Sequence, residues 1–139
     1  MGESPRQPWV RAVVALGIGY ALVGIVFAVP ATHVRAWRLA AWVASAIGYA
    51  AHIAYERFGL RHAPRSAALH VGSAVALGAF GLAVGANLHS LYVGSTSQHR
   101  ALLLLSLGVW PLITALPASL LALGISAALA RAFWGAQAE

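Results

Sequence analysis

Four stretches without a charged side chain, 12–29, 39–55, 66–93 and 101–130, divide the chain, and no other feature limits its fold as strongly. A helix needs ~20 predominantly apolar residues to cross the ~30 Å hydrocarbon core of a bilayer. The second stretch is the shortest, but Trp37, Arg38, Glu56 and Arg57 flank it and can carry rings and charged tips to the two interfaces. The pattern predicts spans over about 10–30, 37–58, 66–92 and 100–131. The expected fold is all-α: a polytopic integral membrane protein, an antiparallel bundle of four transmembrane helices forming one membrane domain over residues 1–139.

Composition agrees with that reading. Only 9% of residues are charged, 60% are hydrophobic and the mean hydropathy is +0.77. A soluble domain carries about 25% charged residues, so this chain cannot cover a water-facing globule. A cytosolic enzyme, a nucleic-acid-binding module and a disordered tail are excluded. The net charge of +6 comes from nine arginines against Glu3, Glu56 and Glu139, with no lysine. The arginines fall between the apolar blocks, where they set topology rather than bind nucleic acid. Cysteine is absent, which excludes a disulfide framework, a thiolate metal site and palmitoylation. The first apolar run is too long for the core of a secretory signal peptide.

The connections, Pro30-Ala31-Thr32, 59–64 and 94–98, are short, so consecutive spans are expected to be antiparallel neighbours. Thr32 and Ser66 are candidate caps for the second and third helices, and Gly59 a stop for the second. Arg6, Arg11, Arg57, Arg61, Arg65 and Arg131 lie on one side of this arrangement, and Arg35, Arg38 and Arg100 on the other. The positive-inside rule then puts both termini in the cytoplasm, in a multi-pass protein of the cell (inner or plasma) membrane.

In lipid no water drives apolar faces together, so helices associate through small residues that let backbones approach. The third span carries Ser73, Gly81 and Gly85 on an i,i+4 row with Gly78 on the next ridge, and Gly81 to Gly85 is a GxxxG match. The third helix is therefore expected to be central. Ile18-Gly19-Tyr20-Ala21 and Ile47-Gly48-Tyr49-Ala50 match each other, but nothing comparable continues into the later spans.

Chemistry is hinted at only by the histidines: His33, His52, His62, His70, His89 and His99. Positions at equal depth in a helical hairpin have a constant index sum. With Arg61 at the turn, His52 is level with His70 and His33 with His89. The first pair sits roughly 12–15 Å beyond the turn, at 1.5 Å per residue. Glu56 lies one turn from His52 on the same side, so His52, Glu56 and His70 form a set suited to a transition metal or to one bis-histidine haem b. His70 and His89 are too far apart to build a second haem site. No HExxH, HxxxH or Glu-x-x-His spacing is present, and the bland alternative is a buried imidazole bonded to a neighbour. His62 and His99 are expected to be solvated in loops.

Pro111 and Pro117 in the fourth span each remove a backbone donor and free a carbonyl four residues back, as a hinge or a broken helix would require. A structural kink is the simpler expectation. An exporter of the small four-helix kind needs an acidic residue in its first span, and none is present; a four-helix thiol oxidase needs cysteine. The functional expectation is a non-catalytic bundle acting as a packing or assembly subunit of a homo-oligomer or larger membrane complex, in contact with the lipid bilayer and not with nucleic acid. The alternatives are a haem- or metal-binding redox subunit using His52 and His70, and a small oligomeric channel or transporter.

Overall fold

The computed structural model of the chain describes residues 8–31, 35–94 and 96–134. Four helices fill them in order: α1 (Pro8–Ala31), α2 (Arg35–Ala54), α3 (Pro64–Val93) and α4 (Ser97–Trp134). A single π-helical turn, Tyr55–Gly59, continues α2. No strand occurs among the described residues. Three helices are long and apolar enough to cross a membrane: α1 over Pro8–Phe27, α3 throughout, and α4 over His99–Phe133. With 20 residues α2 has the length, but Arg35, Arg38 and His52 lower its hydropathy, and it is not among the three.

The ends follow from local chemistry. Ser66 does not cap α3, which starts two residues earlier. Pro64 takes the first helical position after an extended Ala63 (φ −59°, ψ 152°), because its fixed φ suits a helix start and it has no N–H to leave unpaired. At the other end Gly94 adopts φ 74° and donates its N–H to the Ser90 carbonyl, a left-handed stop that a side chain would strain. The Thr96 hydroxyl accepts the His99 N–H at 3.3 Å, so α4 begins inside the expected loop and His99 lies on its first turn. Thr32 lies outside the described residues.

Contacts set the direction of each helix. The α1–α3 contacts pair Gly17 with Leu77, Ala21 with Gly81 and Gly24 with Leu82, rising together, so α1 and α3 are parallel. Tyr20 meets Gly48 and Phe27 meets Trp37, so α2 is antiparallel to α1. Gly72 meets Ser119 and Asn87 meets Leu103, so α4 is antiparallel to α3. Helix α3 lies between α4 and α1, its two most extensive partners, and α2 packs chiefly on α1.

Interior and exterior are inverted relative to a soluble bundle. The core is made of small residues, Ala67, Ala68, Ala74, Ala79, Ala83 and Ala122, with Ile53 and Val71 the largest apolar members. Leu104, Leu112, Leu116 and Leu120 of α4 are each more than 60% exposed. Close backbone approach explains the interior: a Cβ at Gly17 would lie 2.7 Å from Leu77 and one at Gly24 2.6 Å from Leu82.

The packing row on α3 differs from the expected one. Gly78 is packed against Tyr20 and the Gly17 carbonyl, and Gly81 against Ala21. Ser73 is exposed and nothing lies within 4 Å of where a Gly85 Cβ would be. A step of four residues turns a helix by ~400°, so an i,i+4 row drifts ~40° per step and leaves the contact face within three steps. Gly72, on another face, meets Ser119 of α4.

Candidate functional site

The buried polar groups concentrate where α2 gives way to α3. In the π-helical turn the Leu60 N–H reaches the Tyr55 carbonyl at 2.9 Å and the His62 N–H reaches the Glu56 carbonyl at 3.0 Å. Such turns recur at functional sites because the widened backbone redirects side chains. Here the consecutive residues Glu56 and Arg57 are both buried, at 0% and 5% exposure. Arg61 takes φ 55°, which turns the chain back, and the Arg57 guanidinium donates to the His62 carbonyl. Those two features fold the loop over the end of α2 and bring the His62 ring onto Glu56.

Glu56 is the hub. Its Oε2 accepts from His62 Nδ1 at 2.6 Å and from His70 Nδ1 at 2.9 Å, one donor from the loop and one from the second turn of α3. Its Oε1 faces His52 Nε2 at 3.8 Å and has no hydrogen-bond partner, nor has either nitrogen of His52. A buried polar group left unpaired costs roughly 1–3 kcal/mol, so this contact is the least satisfied part of the site. His70 stacks on Trp9 of α1, ring centroids 4.5 Å apart and 4° from parallel, and meets the His62 ring edge-on at 4.9 Å. Glu56, His62 and His70 each offer a ligand atom, all within 4.8 Å of one another.

Each residue singled out from sequence can now be placed. His52, Glu56 and His70 come together, with His52 and His70 on opposite oxygens of one carboxylate. The Glu56 carboxylate therefore lies between the two imidazoles. His62 is not solvated but part of the cluster, its side chain 28% exposed. The sequence signal for it was the short loop, which must double back over the helix end. His89 and His99 are exposed and belong to no cluster, and His33 lies outside the described residues.

Helix α4 runs unbroken through Pro111 and Pro117. The Thr114 hydroxyl bonds the Trp110 carbonyl at 2.9 Å and the Pro111 carbonyl at 3.1 Å. Trp110, Thr114 and Pro117 line a cavity of about 660 Å³ with Tyr20, Trp42 and Tyr49, and no charged residue lines it. The Tyr49 hydroxyl crosses beside it to the Ala118 carbonyl, tying α2 to α4. At the other end of α3, Asn87 Nδ2 donates to the Ala83 and Leu103 carbonyls at 2.8 Å, a cross-helix tie absent from the sequence-based reading. The chain matches no protein-family model, no curated protein and no solved structure.

Proposed function

We propose that the chain is a four-span integral membrane protein of the cell membrane, with both termini cytoplasmic, and that it acts without catalysis as an assembly subunit, packing against copies of itself or other membrane helices. Helix direction supports the fourth span. If α1 and α3 both cross the bilayer in parallel, the chain must recross between them, and α2 is the antiparallel helix along α1 that does so. Its outer residues Trp42, Val43 and Ile47 are 58–76% exposed and suit lipid. Six arginines on the side of the α2–α3 turn against three on the other support the orientation.

One observation carries the assembly reading. Gly19, Gly85, Gly108 and Gly124, on three helices, have nothing within 4 Å of the position of a Cβ. Glycine in a helix interior costs about 0.5–1 kcal/mol relative to alanine, so glycines unused inside the chain point to backbones approaching from outside it. The test is oligomeric state in lipid nanodiscs, read by native mass spectrometry. The wild type is expected as a dimer or larger species, and Gly85→Leu or Gly124→Leu as a monomer with an unchanged thermal midpoint. A wild type that is monomeric at every loading ratio overturns the reading.

A further inference from the structure

Assembly leaves the buried cluster unexplained. Glu56 is fully buried, and a carboxylate taken out of water is retained only where charges or hydrogen bonds hold it. Two imidazoles serve its Oε2, but its Oε1 and both nitrogens of His52, a residue 1% exposed, have no partner although they face each other at 3.8 Å. Unsatisfied buried groups of this kind show that the cluster around Glu56 is incomplete as it stands and would rearrange around an added group.

We infer that Glu56, His62 and His70 bind one divalent transition-metal ion of the zinc class. The chemistry of the donors selects the ion. Two imidazole nitrogens and one carboxylate oxygen suit zinc and its neighbours, whereas magnesium and calcium need six or more oxygens, and no cysteine is available for softer ions. The dimensions fit as well. Ligand bonds of about 2.0–2.1 Å at tetrahedral angles place donor atoms about 3.3 Å apart. The present separations of 2.6 and 2.9 Å from Oε2 are hydrogen-bond distances, with an N–H of each imidazole donating to the carboxylate. With the Nδ1 atoms freed of hydrogen, an opening of about half an ångström from Oε2 and an approach of the two imidazoles, whose ligand atoms now lie within 4.8 Å of one another, convert one arrangement into the other.

His52 has a different part in it. Its Nε2 lies 3.8 Å from the carboxylate oxygen that His62 and His70 do not use, so a small shift of the carboxylate toward it would make His52 a positioning residue, donating to Oε1 while Oε2 meets the ion. Three protein ligands leave a fourth position open. It lies toward the loop, where the His62 and His70 side chains are 28% and 16% exposed and the ion has its entry. The ion would join α2, the loop and α3, and through the stacked ring of Trp9 it would bear on α1.

The experiment uses the full chain, purified in detergent, stripped with a chelator and titrated with Zn²⁺ by calorimetry and with Co²⁺ by visible spectroscopy. Wild type is expected to bind one ion per chain, to give the intense d–d bands of four-coordinate Co²⁺, and to show a change in tryptophan fluorescence that Trp9→Phe removes. Glu56→Gln and His70→Ala each lose at least 100-fold in affinity. His62→Ala, at a partly exposed loop position where misfolding is not at issue, loses as much. His52→Ala keeps the stoichiometry and weakens binding roughly 10–100-fold. His89→Ala and His99→Ala, outside the cluster, bind as wild type. Absence of one-to-one binding by wild type, or wild-type affinity in His62→Ala, overturns the inference; the assembly reading is scored separately by oligomeric state.

Discussion

Adding one methyl group at Gly78 tests the packing of α1 on α3 more sharply than any larger change. The new Cβ of Gly78→Ala would fall 2.6 Å from Tyr20 Cβ, 3.2 Å from the Gly17 carbonyl oxygen and 3.4 Å from the Ala21 nitrogen. These are backbone and Cβ atoms, which cannot rotate away. Carbon atoms sit about 3.5–4.0 Å apart at their best separation, so α1 must retreat by about 1 Å. A gap of that size forfeits a quarter to a half of the dispersion well for each facing pair, and the Gly17–Leu77 and Gly24–Leu82 contacts lie on the same seam. Overpacking of this kind costs about 1–3 kcal/mol. Compared at protein-to-detergent ratios where the chain is monomeric, so that the contact proposed at Gly85 does not enter, Gly85→Ala is the matched control, since it gains the same helix propensity, about 0.5–1 kcal/mol, and meets nothing within 4 Å. The difference between the two variants therefore isolates the clash. Unfolding by SDS titration in mixed micelles should place Gly78→Ala about 1–3 kcal/mol below Gly85→Ala. Equal stability would refute the close approach of α1 and α3, and with it the central position of α3.

Other perturbations reach other parts of the molecule. Glu56→Gln keeps the shape and one acceptor oxygen for the two imidazoles but replaces two charge-assisted bonds with neutral ones, and should cost about 1–3 kcal/mol in the same unfolding assay. Asn87→Leu removes the tie to the Leu103 carbonyl and should cost about 0.6 and at most about 1.7 kcal/mol, the range of cross-helix bonds in membranes. Reporter fusions at Arg61 and after Arg131 should give a cytoplasmic signal and one at Ser97 the opposite one; a cytoplasmic signal at Ser97 would sink the four-span reading.

Helix number and the level of residues across the α2–α3 turn were legible in the sequence because charge marks where each apolar stretch ends; rotation was not. Arg57, Arg61 and Arg65 locate the α2–α3 turn, and from its centre the index sum places His52 and His70 at one level. Which way each ring points depends on side-chain contacts that no spacing encodes. His62 shows the limit. Its place on Glu56 follows from the left-handed backbone of Arg61 and the Arg57 bond to the His62 carbonyl, neither of which has a composition or period to betray it. Ser66 misled for a simpler reason, since Pro64 two residues earlier is the better helix start. The row through Ser73 and Gly85 leaves the α1 face because a spacing of four overshoots one turn.

The placing of the polar ties follows from the inverted interior. Alanine and glycine allow α1, α3 and α4 to approach closely, but in the bilayer proposed for the chain they would supply only dispersion along their seams, with no expulsion of water to add to it. A helix with a short seam needs a directional bond instead. Helix α2 is in that position: it is the least apolar of the four and makes little contact with α3 and α4 along its length. Its fastenings are polar, Tyr49 to the Ala118 carbonyl near mid-helix and Glu56 to His62 and His70 at its end. Deleting the Tyr49 hydroxyl in Tyr49→Phe should therefore loosen α2 while α1, α3 and α4 keep their packing. Hydrogen exchange would read this as faster exchange confined to the amides of α2. Uniformly faster exchange in all four helices would mean that α2 is held by its seam with α1 after all, and that the polar ties are not what keeps it in the bundle.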